Sequence, residues 1–298
     1  MNIIKYKNFF FALSLLVIIP GIIALSFWHL KLGIDFSGGT LWEIKLDEKP
    51  DTTQQQFQDF LHSSNVDFSS VVKTSQQSFL ARLRETDAQK VDNIRQKASH
   101  LFGKTEELRL ETVGPTISKE LTKKALTAVG VSILGILLYI TWAFRKIPKP
   151  TSSIAFGICT IIALVHDVIV VVGIFAILGH FANIEIDSLF ITALLTVIGF
   201  SVHDTIVVFD RIRENLIKHD SASFEQVINH SLTQTIGRSL NTSLTAIFVL
   251  FALYLFGGQS IKVFVLALLI GIISGTYSSI FNASPLLVVW HNFQKRKK

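Results

Sequence analysis

Six apolar runs dominate this chain, near Phe9–Leu30, Leu126–Phe144, Ser153–Leu178, Ser188–Phe209, Leu240–Phe256 and Val263–Trp290. A helix needs roughly 20 apolar residues to cross a bilayer core. Five runs reach or approach that length, and Thr233–Ser239 can extend the short fifth one. Only 17% of residues are charged, against about 25% in an ordinary soluble domain. The pattern predicts a polytopic membrane protein with six transmembrane helices.

Charge sets the orientation. Basic residues gather at Lys5 and Lys7, at Arg145, Lys146 and Lys149, at Arg211, Arg213, Lys218 and Arg238, and at Lys295–Lys298. The alternate loops, Gly179–Asp187 and Gly257–Lys262, carry only Lys262. The positive-inside rule therefore expects both termini in the cytoplasm and an even number of spans. The positive excess lies in short loops and is no nucleic-acid footprint. The first span opens like a signal peptide, but its apolar run outlasts a signal core and reads as an uncleaved anchor.

Four segments are expected. Residues 1–30 form the cytoplasmic N-terminus and first span, and 31–123 an outer domain. Residues 124–291 form a five-helix membrane region, and 292–298 a basic cytoplasmic tail. In the outer domain, Thr40–Leu46 alternates as a strand does. Asp51 or Thr52 caps a helix whose Phe57, Phe60 and Leu61 share one face. Phe68–Lys73 and Ser78–Leu83 read as strands joined by a turn at Thr74–Gln77. Asp87 caps a second helix with Val91, Ile94, Ala98 and Leu101 inward, stopped by Gly103, and Glu107–Val113 alternates again. The order β-α-β-β-α-β is that of a small α+β ferredoxin-like domain, expected to be periplasmic.

Nothing in the chain is built for covalent catalysis. It has neither a Walker loop nor a GxSxG elbow, and its histidines form no zinc-protease spacing. Cys159 is the only cysteine, which excludes an intramolecular disulfide. The expectation is no enzyme, no metal and no cofactor. Gly38 and Gly39 read as a tight turn between a span and a strand. Gly271, Gly275 and Ser279, with Ser274, Ser278 and Asn282 beside them, read as a small-residue packing face of the last span.

Ionisable residues inside spans are costly and commonly serve transport or proton relay. Asp204 lies in the fourth span and Asp167 in the third, within echoing sequences His166-Asp167-Val-Ile-Val-Val and His203-Asp204-Thr-Ile-Val-Val. Thr192, Thr196, Gly199 and His203 share a helical face, flanked by Asp204. Gln234, Arg238, Asn241 and Thr245 share one on the fifth span, which puts Arg238 at a depth similar to that of Asp204. Burial raises the pKa of an aspartate and a nearby arginine lowers it, so such a pair can couple proton flow to movement. One charge crossing the membrane is worth about 2.3 kcal/mol per 100 mV. Asp204, Arg238 and Asp167 are therefore the candidate proton pathway, with His203, Thr196, Asn241 and Thr245 as candidate polar lining. A static ion pair between two helices is the competing reading.

Several motifs resemble the SecD/SecF family of the bacterial Sec export system. They are Gly33-Ile-Asp-Phe-Ser-Gly-Gly-Thr40, Val113-Gly-Pro115, Phe200-Ser-Val-His-Asp204 running on to Arg211-Ile-Arg-Glu-Asn215, Ser231-Leu-Thr-Gln-Thr-Ile-Gly-Arg238 and Leu253-Tyr-Leu-Phe-Gly-Gly258. The resemblance implies a fold of the resistance–nodulation–division type in the bacterial inner membrane. It implies pairing with SecD, association with the SecYEG channel and a translocating preprotein, YajC as a further partner, and use of the proton gradient to promote export. The family's proton-path aspartate and arginine fall on Asp204 and Arg238. Many members of that family carry asparagine where this chain has His203, so no titrating role is carried over there. The larger outer module of SecD is missing, so a fused SecDF is not expected. Two other classes share the sequence features: half of a proton-driven exporter of small molecules or lipids, and a scaffold that stabilises the translocon without transducing energy.

Overall fold

A computed structural model describes residues 2–74, 77–84, 87–148, 151–218 and 222–296. Residues 75–76 of the expected turn Thr74–Gln77, Lys149 and the last two lysines of the tail lie outside these. A short 3-10 turn, Ile4–Tyr6, leads into α1 (Lys7–Trp28), followed by a four-residue α2 (Ile34–Ser37). Then come β1 (Gly39–Leu46), α3 (Gln54–Ser63), β2 (Phe68–Lys73), β3 (Ser78–Leu83), α4 (Ala88–Phe102) and β4 (Thr105–Val113). Long helices complete the chain: α5 (Pro115–Ala143), α6 (Ser153–Phe181), α7 (Ser188–Lys218), α8 (Phe224–Phe256), α9 (Lys262–Ser278) and α10 (Ser284–Arg296). The backbone forms two compact units, one of residues 32–126 and one of residues 1–31 with 127–298.

In the smaller unit the four strands form one antiparallel sheet in the order β2-β3-β1-β4. Alternation sends Trp42, Ile44, Leu46, Phe79, Ala81 and Leu83 to one face, where they meet Phe57, Phe60, Leu61, Ile94, Ala98 and Phe102. The rings of Phe57 and Phe79 stack at 4.7 Å. Two expectations need correction. The cap of α3 is Thr53, whose hydroxyl accepts from the Gln56 amide while Gln56 returns a bond to the Thr53 amide. That reciprocal box satisfies two orphan donors, which neither Asp51 nor Thr52 is placed to do. In α4 the inward residue of the last turn is Phe102, with Leu101 half exposed, because a 3.6-residue repeat carries the stripe from Ala98 to 102. Asp87 caps α4 and Gly103 ends it, as expected. Gly38 and Gly39 adopt φ +73° and +126°, and a Cβ on Gly39 would lie 2.5 Å from the Leu83 carbonyl oxygen. Glycine is required there.

Six helices of the chain, counting Ile4–Trp28 and Lys262–Arg296 as one each, are long and apolar enough to cross a membrane among the described residues. The protein is a multi-pass membrane protein, mostly helical with one small sheet. The second and fifth spans begin well before their apolar runs, at Pro115 and Phe224. Capping explains the latter: Ser223 and Gln226 form a capping box that starts α8 in a polar stretch. Within the bundle α9 packs against α6, α7 and α8, and most of its residues are buried. Helix α6 is the partner of α1. Between α9 and α10 the helix widens into a π segment, Ser279–Ala283, a form found mostly as a local bulge at functional sites. Beside it the Ser14 and Asn282 side chains bond at 2.8 Å, and the Tyr277 hydroxyl donates to the Phe10 carbonyl at 2.7 Å.

A candidate proton site between the fourth and fifth spans

The approach of α7 to α9 depends on residues without bulk. A Cβ at Gly271 would lie 2.1 Å from a Val197 methyl, and one at Gly275 would lie 2.9 Å from the Ser201 Cβ. Small residues let helices come this close in lipid. The contact also draws α6 in, with a consequence for Asp167. Its carboxylate is 1% exposed and takes hydrogen bonds from three helices. Ser201 and Ser278 donate to Oδ2 at 2.6 and 2.7 Å, and Ser274 donates to Oδ1 at 2.8 Å. His166 Nδ1 lies 3.0 Å from Oδ1. A carboxylate offers about four lone-pair positions, and all four are taken. Ser274 and Ser278, expected as packing residues, are therefore also the donors that hold this aspartate.

Asp204 sits three residues beyond Ser201 on the same helix and is equally buried, at 2% exposure. Its surroundings differ. Ser243 of α8 donates to its Oδ2 at 3.3 Å, and Thr276 of α9 donates to Ser243 at 2.6 Å. Asp204 also borders a cavity of about 270 Å³, whose other lining residues are His203, Val207, Arg238, Ser239 and Thr242. Arg238 also borders a second cavity of about 270 Å³, with Asp210 and Arg213. Asp204 and Arg238 thus share a chamber, yet no ion pair within 4.0 Å joins them among the described residues. The ion pairs of α7 lie further along the helix. Arg213 meets Asp210 at 2.9 Å, and Arg211 meets Glu214, which Lys218 reaches as well. Asn215 crosses to α8, donating to Ser231 and Gln234 at 2.9 Å each.

Of the residues singled out in the sequence, Asp204, Arg238 and His203 meet around one cavity. Thr196, Asn241 and Thr245 are exposed on the outer faces of their helices and do not line it. Thr196 and Thr245 bond back to carbonyls of their own helix. Asp167 lies in its own hydroxyl cage. The residues missed are the inward hydroxyls of α8, buried at Ser231, Thr235, Ser239 and Ser243. Their unbroken i, i+4 spacing was the signal that could have found them. Among the described residues no group of three or more histidine, cysteine or acidic side chains is arranged to hold a metal ion.

The family described as protein export membrane protein SecD/SecF, C-terminal, matches residues 93–293. A protein translocase subunit SecF from Thermobaculum terrenum is 51% identical, over 98% of this chain and 94% of its own. A protein translocase subunit SecDF from Bacillus subtilis is 35% identical over 98% of this chain, which spans 38% of that longer protein. Among solved structures, SecDF from Thermus thermophilus, described as a translocon-associated membrane protein, superimposes with a TM-score of 0.85. It is 32% identical over 98% of this chain and 39% of its own. With a family match over most of the chain and relatives this similar along its whole length, the chain belongs to the SecD/SecF family of protein-export membrane proteins.

Proposed function

We propose that this chain is a SecF-like subunit of the Sec accessory complex, which works with SecD to turn the proton gradient into preprotein movement across the inner membrane. The reading has both termini in the cytoplasm and residues 31–123 as a periplasmic domain. The sheet order β2-β3-β1-β4 with both helices on one face supports a ferredoxin-like plan for it. Pairing with SecD is supported by relatives in which a chain of this kind makes up part of a single SecDF protein. The SecYEG channel, the emerging preprotein and YajC complete the proposed set of partners. The chain itself performs no covalent catalysis.

The observation that carries the proton reading is the chamber shared by Asp204 and Arg238 without an ion pair. A fixed pair would hold the aspartate ionised and the helices locked. An arginine one cavity away can approach to favour the ionised form or withdraw to let a proton bind. Each state then sets a different attraction between α7 and α8, and the gradient decides which state prevails. Asp167 is proposed as an anchor of the bundle beside this path, since its oxygens are fully engaged by serine and histidine donors.

Export into inverted membrane vesicles containing the whole complex tests the reading. Asp204→Asn keeps shape and hydrogen bonding but removes the titrating proton. It should insert and assemble normally, lose the gradient-dependent part of export and keep the ATP-driven early stage. Arg238→Met should behave alike. Full gradient-dependent stimulation with Asp204→Asn would remove the proton reading and leave a scaffold.

A further inference from the structure

The hydroxyl stripe of α8 contains one member that differs from its neighbours. Ser231 donates to the Val227 carbonyl at 2.8 Å, Thr235 to Ser231 at 2.9 Å and Thr242 to Arg238 at 3.0 Å. Ser243 donates to Asp204. Ser239, 1% exposed, makes no hydrogen bond to any protein group among the described residues. Buried hydroxyls are rarely left so, and a bound water is the usual partner where the space is polar and large enough. Ser239 borders the cavity of about 270 Å³ that also contains Asp204, Arg238, His203 and Thr242. A water occupies about 30 Å³ in the liquid, so several fit.

We propose that Ser239 is a positioning residue that anchors a water between Asp204 and Arg238, and that the proton reaches Asp204 through this water. A hydronium in the cavity breaks one O–H bond and passes that proton to a carboxylate oxygen of Asp204. Neutral water stays behind, hydrogen-bonded to Ser239, and the aspartate becomes the neutral acid. Release runs the same transfer backwards. The water also relays the attraction between the carboxylate and the guanidinium, which accounts for a shared chamber with no direct ion pair. The inference rests on the proton-site reading of Asp204.

The test compares Ser239→Ala, Ser239→Val and Ser239→Thr with Asp204→Asn in the whole complex, at matched protein levels in inverted vesicles. Threonine keeps the hydroxyl at the volume of valine, so the two separate hydrogen bonding from packing. The Ala and Val variants should lose about fivefold in the gradient-dependent export rate, as expected for one hydrogen bond, and Thr should retain it. Infrared difference spectra of the purified complex should show the carbonyl stretch of protonated Asp204 moving to higher wavenumber in Ser239→Ala, because a hydrogen-bonding water is gone. An unchanged rate and spectrum in Ser239→Ala, while Asp204→Asn abolishes stimulation, would overturn the role of Ser239 and leave the proton site intact. Equal losses in Ala, Val and Thr would also overturn it, in favour of simple packing. Retained stimulation in Asp204→Asn would bring down both readings.

Discussion

If Asp167 anchors the bundle, replacing it should damage stability before it damages coupling. Asp167→Ala strips the acceptor from Ser201, Ser274, Ser278 and His166 together. Ser278 already lies 3.2 Å from the Gly275 carbonyl and has a substitute. The other donors keep only what their own helices offer. Removing one partner from a buried charged network costs about 3–5 kcal/mol, and Asp167→Ala should fall in that range. Asp167→Asn retains one oxygen and places an amide where two donors converge. Hydrogen bonds to charged groups are worth about 1.5–3 kcal/mol against about 1 for neutral ones. Relief from burying a charge offsets part of that loss, leaving a cost of about 1–3 kcal/mol. The assay heats the detergent-solubilised complex and measures the fraction that remains monodisperse by size-exclusion chromatography. Gradient-dependent export is then measured per surviving molecule. The midpoint should fall in the order wild type, Asn, Ala, while export per folded Asp167→Asn complex stays close to wild type. A thermally normal Asp167→Asn that has lost gradient dependence would refute the anchor and return Asp167 to the proton path.

The glycine contact of α9 predicts a compensating pair. Gly271→Ala should cost about 1–3 kcal/mol through overpacking, and Val197→Ala, which removes the methyls at 2.1 and 2.6 Å from the new Cβ, should restore much of it. Additive losses in the same thermal assay would contradict the contact. Orientation is tested by single cysteines at Gln55 and Arg296 in a Cys159→Ser background. They should be labelled from opposite sides of intact inner membranes by an impermeant maleimide, and same-sided labelling would overturn the span count.

Local patterns in this chain carry a good deal of information because their physics is local. Twenty apolar residues in a row have few alternatives to a span, and alternation at Thr40–Leu46 or a 3.6-residue repeat at Phe57, Phe60 and Leu61 follows from backbone geometry. Asp87 and Gly103 mark the ends of α4 for the same reason. Where neighbouring residues compete for one role, as Asp51, Thr52 and Thr53 do for a cap, the choice rests on a hydrogen bond to Gln56 that composition does not rank.

The site divides differently. Asp204 and Arg238 are conspicuous as charges in apolar surroundings, and periodicity alone puts them on helices that can meet. Periodicity defines faces, however, without saying which face looks inward. The polar stripe through Asn241 and Thr245 turned outward, while in the quieter stripe Ser239 borders the chamber and Ser243 donates to Asp204. Ser243 is 39 residues from Asp204, and the donors to Asp167 come from 34, 107 and 111 residues away. Such hydroxyls are ordinary in sequence. They become a cage only where Gly271 and Gly275 let α9 approach α7, so tertiary packing alone separates a closed aspartate, Asp167, from an open one, Asp204.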